Sequence, residues 1–167
     1  MQLTLADSFR ARWTEDIHEE WIRNLLKNRP DLKRQKLEQT RGLMNQNVRD
    51  CLVTNYKSLI PRPTLPDPDD RHVLAAAVTA QASVIVTFNL SDFPPTVLEV
   101  YGMKAQHPDD FILRLLEMSP ELVFLAVRRQ RESLRNPSKT VEELLATLQQ
   151  QGLRKTTDFL SRSPHRL

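Results

Sequence analysis

Glycine, cysteine and long apolar runs are all scarce in this chain, and each shortage narrows what it can be. Three glycines stand against 11 prolines in 167 residues, a length and composition that fit one ordinary folded domain with a single hydrophobic core and room for a small helical appendage. The single cysteine, Cys51, cannot form an internal disulfide. It has no Cys or His partner at ligand spacing, so it reads as a small core residue and argues against zinc. The longest apolar stretch is Val84-Ile85-Val86 with its neighbours, far short of the ~20 residues a bilayer crossing needs. Met1 to Ala6 carries neither the basic segment nor the apolar run of a secretory leader, so a cytoplasmic location is expected, without membrane contact.

Charge is nearly balanced: 24 Lys and Arg oppose 21 Asp and Glu, a net of +3. The cations cluster in Lys33, Arg34 and Lys36 and again in Arg128, Arg129, Arg131 and Arg135. Such clusters can hold phosphates, but composition alone favours plain solvated helix faces.

Read in order, Phe9 to Trp13 is expected as a short strand. Thr14 then caps a helix running to about Asn28, with Glu15 and Asp16 in its first turn and Pro30 as its stop. Ile17, Trp21, Ile22, Leu25 and Leu26 share its apolar arc, with Glu20 on one border. A charged second helix, Asp31 to about Val48, is a candidate arm or lid. Cys51 to Thr54 reads as a short buried strand, Tyr56 to Ile60 as a turn, and Pro61 to Pro68 as an ordered loop, because proline density forbids helix and central strand. Asp67 caps the next helix, with Pro68 at its first position, and it continues through the alanines to about Gln81. Ser83 to Phe88 is the strongest strand, a β-branched run suited to a parallel strand covered on both faces. Val97 to Gly102 reads as a short helix and Met103 to Ala105 as an edge strand. Helices follow over Pro108 to Met118, Pro120 to Arg135, Thr140 to Gln151 and Leu153 to Ser161. Alternation of strand and helix up to Ala105 predicts an α/β fold with a mainly parallel sheet, followed by an all-helical tail.

In such sheets ligands bind at the carboxyl ends of the strands, and that rule selects acids. Glu20 lies in the second turn after the first strand, Asp70 opens the alanine helix on its inward face, and Asn89 and Asp92 leave the carboxyl end of Ser83 to Phe88. Carboxylates gathered within ~4–6 Å repel unless a cation sits among them, and an all-oxygen set suits Mg²⁺ or Mn²⁺ and phosphate chemistry. Each acid also has a plainer account: Glu20 as a surface partner of Arg23 or Asn24, Asp67 as a cap, Asp69 as a first-turn dipole partner, Asp92 as the start of a turn. His18, His72, His107 and His165 form no ligand pair at useful spacing and read as incidental.

The segments Ile17-His18-Glu19-Glu20-Trp21, Asp67-Pro68-Asp69-Asp70-Arg71-His72-Val73-Leu74-Ala75-Ala76-Ala77 and Val84-Ile85-Val86-Thr87-Phe88-Asn89-Leu90-Ser91-Asp92-Phe93-Pro94 resemble the PIN-domain ribonucleases, most of all the VapC-like toxins of bacterial type II toxin-antitoxin pairs. The likeness runs from about Met1 to Ala105, and the tail resembles the extension on one branch of these toxins. It implies a PIN-like three-layer α/β domain over residues 1–106, a helical extension over 107–167, and a Mg²⁺- or Mn²⁺-dependent endoribonuclease. Glu20, Asp70 and Asp92 match the family's second, third and fourth acids as metal-binding and catalytic residues, with Asn89 as polar companion. Lys33, Arg34, Lys36 and Arg71 would meet the RNA. Implied partners are an RNA substrate, a cognate small DNA-binding antitoxin and a second copy in a homodimer. The family's first acid has no clear match: Asp7 follows the alternating Met1, Leu3 and Leu5, which fit better as the tail of the first family helix. The expectation is that the chain starts at an internal methionine and lacks roughly 15–25 residues, including a central strand whose loss would orphan backbone groups at ~1–3 kcal/mol each. The alternative is an incomplete PIN protein that only binds RNA or antitoxin; a small-molecule phosphohydrolase or phospho-acceptor domain has less support.

Overall fold

The computed structural model describes residues 9–60, 64–134 and 137–167. Met1, Leu3, Leu5 and Asp7, Pro61 to Pro63 of the proline loop, and Arg135 of the second basic cluster lie outside the described residues. The chain divides into two compact units, one holding 10–85 with 89–105 and the other 106–167 with Phe9 and 86–88.

In the first unit Thr14, in extended conformation, accepts a hydrogen bond from Ile17 N and starts helix α1, Glu15–Asn28. Because Thr14, next to Trp13, already caps the helix, the expected strand before it shrinks to a single parallel bridge, Trp13 to Leu52. The expected Cys51 to Thr54 strand is reduced with it. Helix α2, Arg34–Asn47, starts later than predicted: the Asp31 carboxylate is occupied by the Arg29 guanidinium at 2.7 Å rather than capping a helix. α2 buries only Leu37. It is tied to α1 by Arg34 on Glu19 (2.6 Å) and Arg41 on Glu15 (3.5 Å) and Glu19 (3.2 Å).

Beneath those exposed ion pairs lies a more demanding contact. The Asn45 Oδ1 on α2 accepts from Trp13 Nε1 at 2.8 Å and meets His18 Nε2 at 3.0 Å, while Trp21 Nε1 donates to His18 Nδ1 at 2.9 Å. His18, fully buried, is therefore the Nε2–H tautomer and a working member of the α1 core, not an incidental histidine. Asn45→Ala strands two donors without an acceptor and is expected to cost about 2 kcal/mol. The measurement is a lowered denaturant midpoint at unchanged slope; a loss of only a few tenths would deny the network its role.

Pro68–Asp70 forms a 3-10 turn capped by Asp67, whose side chain accepts from Asp69 N at 2.8 Å, and it runs directly into α3, Arg71–Thr79. Leu74, Ala75 and Ala76 of α3 are buried. Leu74 packs with Leu65, Ile85, Phe93, Leu98 and Met103, and Ala75 and Ala76 pack with Tyr56. Cys51 is buried as expected, and burial raises its thiol pKa.

The sheet joins β1, Val84–Val86, to β2, Lys104–Gln106. Lys104 N donates to Ser83 O and Thr87 N to Gln106 O; residue numbers rise together on both sides, the mark of a parallel pair. β1 is shorter than the apolar run around it and is not covered on both faces: Ile85 is buried while Val86 is 44% exposed. Between the strands come a 3-10 turn Leu90–Asp92, helix α4, Pro95–Leu98, and a 3-10 turn Glu99–Tyr101. Gly102 closes that turn at φ 66°, a left-handed position where a side chain would be strained.

The second unit is helical: α5 (Pro108–Met118), α6 (Pro120–Ser133), α7 (Val141–Gln150) and α8 (Arg154–Leu160). Leu144, Leu148 and Leu153 are buried in its core with Leu116, Val123 and Leu160, and Leu145 and Phe159 pack against that core. These tail residues therefore pack within their own unit. Thr140 and Glu143 form a reciprocal capping box at the start of α7, and the acid at α5 that matters most, Asp109, is buried and accepts from Lys155 N and Thr156 N at 2.8 Å each. No helix among the described residues is long and apolar enough to cross a membrane.

Candidate metal and nuclease site

Three local structures of the first unit bring acids together. The 3-10 turn before α3 presents Asp70, half-buried. The turn after β1 presents Asp92, and α1 presents Glu20 from its second turn. Asp70 and Asp92 are within hydrogen-bond reach of each other. The Asp70 carboxyl is pushed up to about 6 by burial first, then by the negative charges of Asp92, Asp67 and Glu20. A carboxylic acid raised by neighbouring carboxylates marks a place where negative charge is crowded and a cation would be welcome.

Asn89 holds Asp92 in place by donating from Nδ2 to Asp92 Oδ2, and Ser91 Oγ in turn donates to Asn89 Oδ1 at 2.7 Å. Glu20 is held differently. Its Oε2 lies 3.1 Å from His72 Nε2, and neither Arg23 nor Asn24 engages it in any hydrogen bond or ion pair found among the described residues. His72, two residues beyond Asp70 on α3, is thus part of the site rather than incidental. Sequence offered only its closeness to Asp70, because its partner is 52 residues away.

No three His, Cys, Asp or Glu side chains among the described residues are grouped so as to hold a metal ion. The compact element is the Asp70–Asp92 pair, with Glu20 and Asp67 within electrostatic range. That donor set fits a hard divalent ion, since Mg²⁺ is commonly held by one or two carboxylates with its remaining positions filled by water and substrate phosphate. It suits zinc less well, since the pair itself offers only carboxylate oxygens.

The basic residues divide. Lys33 and Lys36 are exposed, and no side-chain ion pair or hydrogen bond occupies them among the described residues. Arg34 is engaged by Glu19 at 2.6 Å and Glu38 at 3.2 Å, and the Arg34 hydrogen bond, with help from Arg41, holds Glu19 below the usual carboxylate range. Arg71 is half-buried beside Asp70, with its Nε unpartnered.

A PIN-domain family model matches residues 1–91, and with the α/β arrangement above this places the chain in the PIN-domain family. The helical unit carries its own match: residues 108–162 fit the family described as the VapC50 C-terminal domain. The chain is similar to the putative ribonuclease VapC50 of Mycobacterium tuberculosis (strain ATCC 25618 / H37Rv), with 44% identity over 82 residues, covering 49% of this chain and 48% of that relative. It therefore spans about half the length of the curated relative it matches. No solved structure matches the chain.

Proposed function

We propose that this chain is a Mg²⁺- or Mn²⁺-dependent endoribonuclease of the toxin kind, with Asp70 and Asp92 holding the ion and Glu20 as the third carboxylate of the set. The observation that carries the reading is the Asp70–Asp92 carboxyl pair, where burial first and the neighbouring acids second raise Asp70 to about 6, at the end of the segment that matches the PIN family. When bound, a divalent ion activates water and neutralises charge on the scissile phosphate. The protein's own contribution is to fix Asp92 through Asn89, to keep two carboxylates close in a half-buried place where their charge is poorly solvated, and to engage the backbone of the RNA. Similarity to a relative named as a putative ribonuclease supports RNA as substrate; a small DNA-binding antitoxin as partner and self-association belong to the same reading. In the same reading residues 1–106 form a nuclease domain and 107–167 a helical extension.

The engagement of RNA divides the cations. Lys33→Ala and Lys36→Ala each lower the slope of log affinity against log salt by about one. Arg34→Ala changes it less, because Glu19 and Glu38 already occupy that guanidinium. Equal slopes for all three would remove the distinction.

The direct test is incubation of the purified chain with mixed RNA in Mn²⁺ or Mg²⁺, in EDTA, and as Asp70→Asn and Asp92→Asn. Cleavage in metal, none in EDTA and none in either variant is expected. RNA binding without cleavage in any metal would favour a binding-only protein, and cleavage in EDTA would refute the metal site.

A further inference from the structure

The contact between His72 and Glu20 is not explained by packing alone. The imidazole is 16% exposed and Glu20 36%, and the pair links the first turn of α3 to the second turn of α1. A carboxylate only accepts hydrogen bonds, so the 3.1 Å approach of Nε2 to Oε2 puts a hydrogen on Nε2. The ring's Nδ1 is buried with no hydrogen-bond partner. An apolar side chain would fill the same space without orphaning a ring nitrogen, and an unsatisfied buried polar atom in a folded protein calls for a reason. The reason available here is the other nitrogen: it fixes one acid whose charge acts on Asp70.

We propose that His72 is a positioning residue for the metal site, holding Glu20 by the Nε2–H donor so that its carboxylate faces the Asp70–Asp92 pair in one orientation, and thereby raising the site's affinity for a divalent ion. It rests on the metal-site reading above. His72 touches neither substrate nor ion in this account; its effect passes through Glu20. Groups that hydrogen-bond a metal-binding carboxylate from behind commonly matter about as much as 10- to 100-fold in affinity. Glu20 adds its charge to those of Asp92 and Asp67 on Asp70, so a Glu20 released from His72 would tend to swing away from Asp70.

The experiment measures Mn²⁺ affinity by the electron paramagnetic resonance signal of the free ion, which needs no turnover. His72→Gln and His72→Met are compared because the side chains are close in shape and only Gln keeps an N–H donor. Each is made in the wild-type and in the Glu20→Gln background, with thermal unfolding in EDTA to establish folding and Asp70→Asn as the control for the site. Expected are roughly tenfold weaker binding or more for His72→Met, recovery of most of it for His72→Gln, and no further effect of His72→Met once Glu20 is Gln. If the wild type binds Mn²⁺ and Asp70→Asn does not, yet His72→Met binds like wild type or weakens binding equally in both backgrounds, the positioning role is overturned while the metal site stands. If the wild type itself binds no Mn²⁺, the site and the role of His72 fall together.

Discussion

Asp70→Asn is expected to abolish RNA cleavage while making the metal-free protein more stable at pH 8. The activity loss should be on the order of 10²-fold or more, the scale on which removing one preorganised charged group acts. The stability gain follows from the raised pKa. In the unfolded chain Asp70 titrates near 4, in the folded protein at about 6. Below pH 4 both states are protonated and the acid costs nothing; as pH rises from 4 through 6 the folded state alone still holds the proton, and above 6 it carries a crowded charge at full cost. Two units would correspond to about 3 kcal/mol at most, and solvent around this half-exposed group reduces that to about 1 kcal/mol, or roughly 2–4 °C in Tm. Melting curves in EDTA should therefore show the variant above wild type at pH 8 and level with it at pH 4. Saturating Mn²⁺ should reverse the order, since an ion at about 100 times its Kd adds about 2.7 kcal/mol to the wild type only. A variant less stable than wild type in EDTA at pH 8 would mean that the Asp70–Asp92 pair is not repulsive.

The largest purely structural effect is expected at Asp109. This carboxylate, 4% exposed, accepts from the first backbone N–H groups of α8 and so caps that helix from α5 across 46 and 47 residues of sequence. Burial alone would raise its pKa, but the hydrogen bonds from Thr156 and Lys155 outweigh burial and hold it below the usual carboxylate range. Its contribution is therefore present at neutral pH and is lost only as pH falls through that depressed value. Asp109→Ala breaks two charge-assisted bonds and leaves two buried donors unmatched, about 3 kcal/mol. Asp109→Asn, which still accepts one, should cost about half. The neighbouring Asp110–Lys155 pair is exposed on both sides, and Asp110→Ala should cost well under 1 kcal/mol. Urea unfolding followed by helical circular dichroism separates the three; equal losses at 109 and 110 would contradict the buried cap.

Local chemistry was readable where a few adjacent residues decide the outcome. Proline at the first position with acids behind it delimits α5, Pro108–Met118, residue for residue, and Thr140 with Glu143 announces α7. Thr14 and Asp67 act as the caps their sequence suggests. Strands were less legible. The run Ser83 to Phe88 is apolar throughout, and apolarity does not tell how many of its residues find a hydrogen-bonding neighbour or which face is covered; β1 keeps three of the six and exposes Val86. The inward turn of Asp70 and its meeting with Asp92 followed from helix phase and from the rule that strand ends share an edge. The histidines were illegible because both working ones act across the fold, His18 on Asn45 and His72 on Glu20, and no short spacing encodes such partners. Arg34 shows the converse: a basic cluster in sequence contains one member already engaged by Glu19 of the preceding helix and Glu38 of its own.

Anomalous diffraction from crystals grown in Mn²⁺ tests the metal site most directly. The account predicts one strong peak bonded to oxygens of both Asp70 and Asp92 at about 2.1 Å, absent from Asp70→Asn crystals. A peak bound to other residues, or none at saturating Mn²⁺ in wild-type crystals, would contradict it.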